Sequence, residues 1–120
     1  MPKAKILIID DEKQFCCLLE EFLSEEGFTV ECAYDGQEGI EKAKTFIPDL
    51  ILLDHRMPTM GGLEAIKIIK QFSTARIYCV SAITDNATID ESFRLGVDEY
   101  ICKPVDLDDL LTKIQSGLSQ

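Results

Sequence analysis

The stretch LILLDHRMPTMGGLE, residues 50–64, raises the question that decides the fold. Four aliphatic residues run directly into Asp54, and a basic pair and a glycine-rich turn follow it. An unbroken aliphatic run of this length is typical of a strand that is buried on both faces of a parallel sheet. The carboxylate at its end is either a turn residue or a group placed there to react. The rest of the chain distinguishes these two interpretations.

The size and composition of the chain predict a single domain that spans residues 1–120. Hydrophobic residues make up 46% and charged residues 28%, which is an ordinary globular composition. No run approaches the roughly 18 apolar residues of a membrane helix, and the N-terminal stretch lacks the features of a signal peptide. We therefore expect a cytoplasmic protein without membrane contact. The net charge of −10 repels phosphates, so we also expect no direct binding of nucleic acid.

The cysteines predict packing rather than metal binding. There are five, an odd number, and no C-x-x-C spacing occurs. We expect them to be small buried hydrophobic residues in a reducing compartment. A zinc site is disfavoured because the chain has only one histidine.

Two periodicities alternate along the chain. Strand-like apolar segments occur at 5–9, 29–34, 50–53, 76–80 and 99–102. Apolar residues at helical spacing occur at 12–26, 37–46, 63–71, 85–95 and 106–118. Five consecutive β/α units predict an α/β fold in which a parallel sheet carries helices on both faces. We expect a flavodoxin-like, doubly wound sheet of five strands in the order 2-1-3-4-5, with five helices.

Polar residues follow four of the five predicted strands. These residues are Asp10, Asp11 and Glu12 after the first strand, Asp54 after the third, Ser81 after the fourth and Lys103 after the fifth. In a doubly wound sheet, the carboxyl ends of the strands form the ligand-binding edge. Each residue alone has a simpler explanation in a turn, loop or cap, and Asp11 with Gln14 has the spacing of a capping box. Their common placement favours a functional site.

Clustered carboxylates repel one another unless a cation compensates their charge. Lys103 can balance one charge. Mg²⁺ can balance more, since it favours one or two carboxylates together with water and phosphate oxygens. With the metal held by Asp11, the carboxylate of Asp54 is left as a nucleophile that can form an acyl phosphate. Lys103 and the hydroxyl of Ser81 would then stabilise the transferring phosphoryl group.

Four segments together resemble the receiver domains of two-component response regulators, of the single-domain chemotaxis or sporulation-regulator type. They are ILIIDDE, PDLILLDHRMPTMGGLE, YCVSA and DEYICKPVDLDDL. The motifs are specific in combination: an acidic pair, D-x-x-M-P-x-M-x-G, a serine after the fourth strand and Lys-Pro after the fifth. The resemblance covers essentially the whole chain. It implies a phosphorylation-activated signalling switch in a two-component system or phosphorelay. It also implies that the protein is not an enzyme beyond its own phosphoryl transfer and dephosphorylation.

The resemblance implies a role for each residue at the strand ends. Asp54 would be the phosphoacceptor, and Lys103 would contact the phosphoryl group. Mg²⁺ would be held by Asp54, by Asp11, by Asp10 acting through water, and by the backbone carbonyl of Arg56.

The resemblance also implies a switch and two kinds of partner. Ser81 would move toward the phosphoryl group and Tyr100 would turn inward after it. The donor would be a histidine kinase or a histidine phosphotransfer protein. A downstream protein target would bind the face built from residues 85–118, where we expect Phe93 to be partly exposed. The Lys103–Pro104 peptide bond would be cis. We further expect Gly62 to loosen its loop at little cost to the chemistry.

Several alternatives stay open at this point. The chain could be a receiver module excised from a hybrid histidine kinase or larger regulator, or a receiver-like module that works without phosphorylation. A phosphatase resembling haloacid dehalogenases would need a second aspartate where Arg56 stands. A flavin carrier on the same fold would need a phosphate loop where Asp10, Asp11 and Glu12 would repel a phosphate.

Overall fold

The aliphatic run Leu50–Leu53 forms the central strand of the sheet, β3, and is buried along its whole length. The computed structural model describes residues 4–57 and 60–119. The remaining strands are β1 Lys5–Ile9, β2 Thr29–Ala33, β4 Arg76–Ser81 and β5 Glu99–Cys102. All pairings are parallel, and the order is β2-β1-β3-β4-β5. The predicted α/β class, strand order and doubly wound, flavodoxin-like architecture are confirmed.

Five helices alternate with the strands in the described part of the chain. They are α1 Lys13–Glu25, α2 Gly36–Phe46, α3 Gly62–Lys70, α4 Asn86–Arg94 and α5 Leu107–Leu118. Asp35, Asp85 and Asp106 cap α2, α4 and α5, since each side chain accepts a hydrogen bond from a backbone N–H of the first turn. No helix within residues 4–57 and 60–119 has the length and apolar character needed to cross a bilayer.

Helix α1 starts without a side-chain cap. Its N-cap residue is Glu12, which lies one position after Asp11 and forms no side-chain hydrogen bond to the helix. The capping box of Asp11 with Gln14 is therefore wrong. This leaves the carboxylates before α1 available for other contacts.

The sheet separates two apolar clusters. Successive residues of a strand point to opposite faces. Ile8 and Leu52 accordingly join the cluster with α1 and α5, whereas Ile9 and Leu53 join the cluster with α2 and α3. Because the central strands are covered on both faces, polar side chains appear only where these strands end.

The strand register brings these ends together. Ile9 pairs with Leu53, and the backbone N–H of Asp54 donates to the Ile9 carbonyl at 3.0 Å. Between β4 and β5, the N–H of Lys103 donates to the Ser81 carbonyl at 2.9 Å. The residues that follow β1, β3 and β5 therefore leave the sheet at the same edge.

The cysteines only partly match their prediction. Cys16, Cys32 and Cys79 are buried, but Cys17 and Cys102 are exposed. Adjacent helical positions face different directions, so Cys17 points outward where Cys16 points inward. Cys102 ends β5, which is an edge strand. The prediction of burial is wrong for these two residues.

Helix α2 ends in a strained conformation at Ile47. This residue has φ 52° and ψ 65°, which lies in the left-handed region. A β-branched residue is a genuine outlier there. The Ile47 side chain is 70% exposed, so burial does little to offset the strain. The strained position precedes β3 and thus lies at the amino-terminal edge of the sheet.

Candidate functional site

The ammonium group of Lys103 lies among three carboxylates. Its Nζ is 2.7 Å from a Glu12 oxygen, 2.9 Å from an Asp10 oxygen and 3.2 Å from an Asp54 oxygen. These residues follow β5, β1 and β3, so the strand order is what brings them together. The same Nζ lies 4.5 Å from the centroid of the Phe15 ring, within cation–π range. The carboxyl edge of the sheet thus holds one fixed cation among three acidic groups.

The pKa values of Lys103 and Asp10 are both raised, but for different reasons. Burial lowers the pKa of Lys103, but its hydrogen bonds to Glu12 and Asp10 and the nearby carboxylates outweigh that effect and raise the pKa overall. For Asp10, which is 2% exposed, burial raises the pKa against the hydrogen bonds from Glu12 N–H and Lys103. Lys103 therefore stays charged at neutral pH, and the ionised form of Asp10 is disfavoured. Additional positive charge would stabilise the cluster.

Asp54 is buried at the base of a cleft. Its Oδ1 accepts a hydrogen bond from the Arg56 N–H at 3.2 Å, and its Oδ2 accepts one from Lys103. The cleft has a volume of about 300 Å³ and is lined by Asp11, Glu12, Asp54, Arg56, Ala82 and Lys103. Of the residues predicted for metal binding and phosphoryl transfer, Asp11, Asp54, Arg56 and Lys103 line this cleft, and Asp10 reaches it through its bond to Lys103.

The chemistry of the donors fits a hard divalent cation. Asp10, Glu12 and Asp54 each offer a carboxylate oxygen, and these oxygens all lie within 4.8 Å of one another. Oxygen donors of this kind suit Mg²⁺. Asp11 is exposed and lines the same cleft, but it is not part of this close triad. The structure therefore brings Asp10 and Asp54 together and joins Glu12 to them, while Asp11 is found only in the lining of the same cleft.

Phe15 is a site residue that the sequence reasoning missed, and Glu12 was expected at the end of the first strand but was given no role in the site. Glu12 is the N-cap of α1 and has an extended backbone, which turns its side chain back toward Lys103. Phe15 lies in the first turn of α1 and places its ring against the same ammonium group. The signal for Glu12 was its position directly after the acidic pair. Phe15 has no comparable signal, because its apolar spacing only indicated core packing.

Ser81 and Tyr100, the predicted switch residues, meet at the backbone of Ile83. Ser81 is fully buried, and its Oγ accepts a hydrogen bond from the Ile83 N–H at 3.1 Å. The Tyr100 hydroxyl donates to the Ile83 carbonyl at 2.6 Å. Burial raises the pKa of Tyr100 against a hydrogen bond with Ser81, so the hydroxyl keeps its proton at neutral pH. Ser81 and Tyr100 lie beside the cleft, because Ala82, which stands between Ser81 and Ile83, lines it.

Two smaller predictions are confirmed. The Lys103–Pro104 peptide bond is cis. Phe93 on α4 is 46% exposed and lies on the segment expected to contact partners.

Gly62 holds α3 close to the segment that follows β3. It is buried, and its N–H donates to the His55 carbonyl at 3.2 Å. A Cβ at this position would press on the His55 Nδ1 and would lie 2.7 Å from the His55 Cα and 3.1 Å from the Asp54 carbonyl oxygen. The expectation that Gly62 loosens the loop is therefore wrong. Glycine is needed here because two backbone segments approach each other too closely for a side chain.

Relatives of known sequence match most of the chain. The ArlR response regulator of Staphylococcus aureus (strain Mu50) is 37% identical over 114 residues, which are 95% of this chain and 52% of that protein. The chain thus spans about half the length of the curated relatives it matches. 

Solved structures match both in fold and in extent. A two-component response regulator from Clostridium difficile is 32% identical, with a TM-score of 0.96 and 98% of each chain covered. A CheY-like receiver domain protein from Methanospirillum hungatei JF-1 is 32% identical, with a TM-score of 0.92 over 97% of this chain and 94% of that one. The chemotaxis protein CheY4 of Vibrio cholerae is 29% identical, with a TM-score of 0.87 over 94% and 97%.

The family model of the response regulator receiver domain matches residues 6–115, which include every residue of the cleft. This is a family of signalling modules rather than of metabolic enzymes. Together with the strand order and the acidic cluster around Lys103, the match shows that the chain belongs to the response regulator receiver domain family.

Proposed function

We propose that the chain is a signalling switch in which Asp54 accepts a phosphoryl group from a phosphohistidine donor. The observation that carries this proposal is the Lys103 ammonium group held among Asp10, Glu12 and Asp54 at the edge of the sheet. A carboxylate in a cleft next to a fixed cation is suited to attack phosphorus, because the cation balances charge on the incoming phosphoryl oxygens.

The transfer would proceed as a displacement at phosphorus. A carboxylate oxygen of Asp54 forms the new P–O bond while the P–N bond of the phosphohistidine breaks, and the departing imidazole keeps the bonding electron pair. The Arg56 N–H and the Lys103 ammonium group hold the two carboxylate oxygens during this step. The product is an acyl phosphate on Asp54. The lysine is then positioned to bind the new phosphoryl oxygens.

Mg²⁺ completes this proposal. It would be held by Asp11 and Asp54, by the backbone carbonyl of Arg56 and by Asp10 acting through water, and it would supply positive charge to the phosphoryl oxygens. The support is the cluster of hard oxygen donors in the cleft and the raised pKa of the buried Asp10 carboxyl. Glu12 is a competing ligand, because its carboxylate belongs to the close triad.

Family membership implies a histidine kinase as the upstream partner. A histidine phosphotransfer protein is an equivalent donor in the proposal, since it presents the same phosphoramidate chemistry. Downstream, we propose a protein target that binds the face of α4, β5 and α5 within residues 85–118. Phe93 is exposed on this face, and Tyr100 in β5 links it to Ser81 and the cleft. Phosphorylation would shift the population between two packings of this face.

We propose that residues 1–120 form one receiver domain that acts in the cytoplasm, without direct contact with nucleic acid or membrane. The charge of −10 supports the last part of this proposal. A second candidate is the same switch working within a larger regulator or a hybrid kinase. It is favoured by the greater length of the curated relatives, of which the match covers 52%.

Intact-mass analysis after incubation with acetyl phosphate and Mg²⁺ tests the proposal. We expect the wild-type chain to gain the mass of one phosphoryl group, and we expect no gain when the metal is chelated beforehand. Asp54→Ala should stay unmodified, whereas Asp108→Asn, which changes an exposed carboxylate of α5, should react like the wild type. Equal labelling of Asp54→Ala would refute the assigned acceptor. A wild-type chain that stays unmodified would favour a receiver-like module that works without phosphorylation.

A further inference from the structure

His55 is the next residue after Asp54 and contacts three other elements of the fold. It is 7% exposed. Its backbone carbonyl accepts a hydrogen bond from Gly62 at the start of α3. Its ring stacks on Tyr100 of β5, with centroids 5.6 Å apart and planes at 25°. Its Nε2 lies 2.9 Å from the Oγ of Ser92 in α4. Any shift of the phosphoacceptor segment therefore reaches α3, α4 and β5 through one residue.

Hydrogen bonding at Ser92 fixes the tautomer of His55. The Ser92 hydroxyl has one proton and donates it to the Thr88 carbonyl at 2.8 Å. With the hydroxyl proton assigned to that bond, the Ser92 Oγ accepts from His55, and Nε2 carries the proton. Nδ1 is then a bare acceptor, and it is buried without a hydrogen-bond partner in the described structure. It faces Gly62, where no space for even a Cβ is left.

Helix α4 buries a polar residue where the other helices bury apolar ones. Ser92 is its only buried residue, whereas α1 and α3 bury three and four residues. Ser92 is fully buried, so a hydroxyl occupies the position at which an aliphatic side chain would normally anchor the helix. Ser92 thus links α4 to the sheet by a directional hydrogen bond to His55, while Leu95 at the C-cap of the helix adds apolar packing.

We infer that His55 is a positioning residue that transmits the phosphorylation of Asp54 to α4 through its hydrogen bond to Ser92. This inference rests on the proposed function of Asp54. The His55 ring is confined between Gly62 and Tyr100, so it cannot absorb a backbone displacement by changing rotamer. A change at Asp54 is therefore passed to Ser92, and α4 responds because Ser92 is the one residue that this helix buries.

The tautomer is tested in the wild-type chain alone. A long-range ¹⁵N–¹H correlation spectrum of the imidazole should show a protonated Nε2 and a bare Nδ1 at neutral pH. A proton on Nδ1 would overturn the inference, because Nε2 could then not donate to Ser92. This measurement does not depend on whether Asp54 is phosphorylated.

Transmission is tested by hydrogen exchange with and without beryllofluoride and Mg²⁺, a stable mimic of the phosphoryl group. We expect the wild-type chain to change the exchange rate of α4 amides by about threefold or more. Ser92→Ala removes the acceptor and His55→Phe removes the donor but keeps an aromatic ring. Both should still respond near the cleft, at residues 55–57 and 82–83, and should lose the response of α4.

Two further variants separate a loss of transmission to α4 from a general loss of structure. His55→Gln places an amide N–H at the same number of bonds from the backbone as Nε2, so it should restore the response of α4. Thr45→Ala removes a hydroxyl that bonds only to the carbonyl of Glu41 on α2, and it should respond like the wild type. An undiminished α4 response in both Ser92→Ala and His55→Phe would overturn the inference, as would a wild-type chain that responds only near the cleft. If no segment responds and the mass assay finds no phosphoryl group, the proposed function of Asp54 has failed instead.

Discussion

Lys103 is the residue that joins the carboxylates of the cleft. It holds Asp10, Glu12 and Asp54 at hydrogen-bonding distance, and its charge is secured because those contacts outweigh burial. Because its pKa is raised, the stability that these contacts contribute is fully present below the ordinary lysine value and is lost only as the pH rises through the folded-state pKa. At neutral pH the lysine therefore stays charged.

The identity of the metal ligand can be resolved by comparing two neighbouring carboxylates. If Asp11 holds Mg²⁺, Asp11→Asn should weaken Mg²⁺ binding by about tenfold or more. Glu12→Gln should weaken it less, since it removes only nearby negative charge. Calorimetric titration with Mg²⁺ measures both variants, with Glu21→Gln on the exposed face of α1 as a control. A larger loss in Glu12→Gln than in Asp11→Asn would make Glu12 the ligand.

The buried carboxyl of Asp10 predicts a pH-dependent stability. Its folded-state pKa is raised above 3.8, mainly by burial, so the folded state binds this proton more readily than the unfolded state. Stability is therefore lost as the pH rises through the folded-state pKa, and the ionised group is unfavourable at pH 7. Asp10→Asn should raise the urea midpoint at pH 7, and the gain should shrink as the pH falls toward 3.8.

The control for this prediction is Glu21→Gln, which changes a carboxylate exposed in the middle of α1 and should leave the midpoint unchanged at both pH values. If Asp10→Asn is instead less stable than the wild type at pH 7, the hydrogen bond of Asp10 to Lys103 is worth more than the burial of its charge.

At the scale of the elements, α3 approaches the residues that follow β3 very closely. This approach requires Gly62, whose Cα faces the backbone of His55 and Asp54. The neighbouring Gly61 is the N-cap of α3, has a φ of −73° and has open space around it. Two consecutive glycines therefore serve different purposes, and only one of them is structurally required.

Substitution of the two glycines tests this difference. Gly62→Ala should lower the free energy of unfolding by about 2 kcal/mol, because the new methyl group meets backbone atoms that cannot move cheaply. Gly61→Ala should stay within about 0.5 kcal/mol of the wild type. Urea denaturation followed by circular dichroism measures both. Equal effects of the two substitutions would contradict the packing argument.

At the scale of the whole molecule, the sheet order is what sequence patterns predict best. The aliphatic run of β3 indicates burial on both faces, and five alternating units leave few topologies open. Once the order is known, Asp54 and Lys103 must meet at one edge. The position of the site follows from the same periodicity that predicts the strands.

Contacts that depend on side-chain direction could not be predicted in this way. Glu12 turns toward Lys103 only because α1 starts one residue later than the capping-box interpretation required. Phe15 and His55 have apolar or ambiguous spacing, and their roles come from tertiary packing against Lys103 and Ser92. Sequence periodicity specifies which face a residue occupies, but it does not specify which neighbour the residue meets there.

The two edges of the sheet differ in what their residues do. The carboxyl edge contains the cleft, whereas the amino-terminal edge contains Ile47 in the left-handed conformation. Ile47→Asn should raise the free energy of unfolding by roughly 1 kcal/mol, because asparagine tolerates this conformation better and little apolar burial is lost. Ile47→Thr, which keeps the β-branch, should bring no such gain. Thermal and urea unfolding measure both variants, and an equal gain in Ile47→Thr would show that backbone strain is not the cause.

The distance of Ile47 from the cleft has a practical consequence. A substitution that relaxes the end of α2 alters none of the groups around Asp54. It therefore gives a more stable background in which destabilising substitutions of Lys103 or His55 can be purified and assayed. Effects on signalling and effects on folding, which are usually entangled in a protein of this size, could then be measured separately.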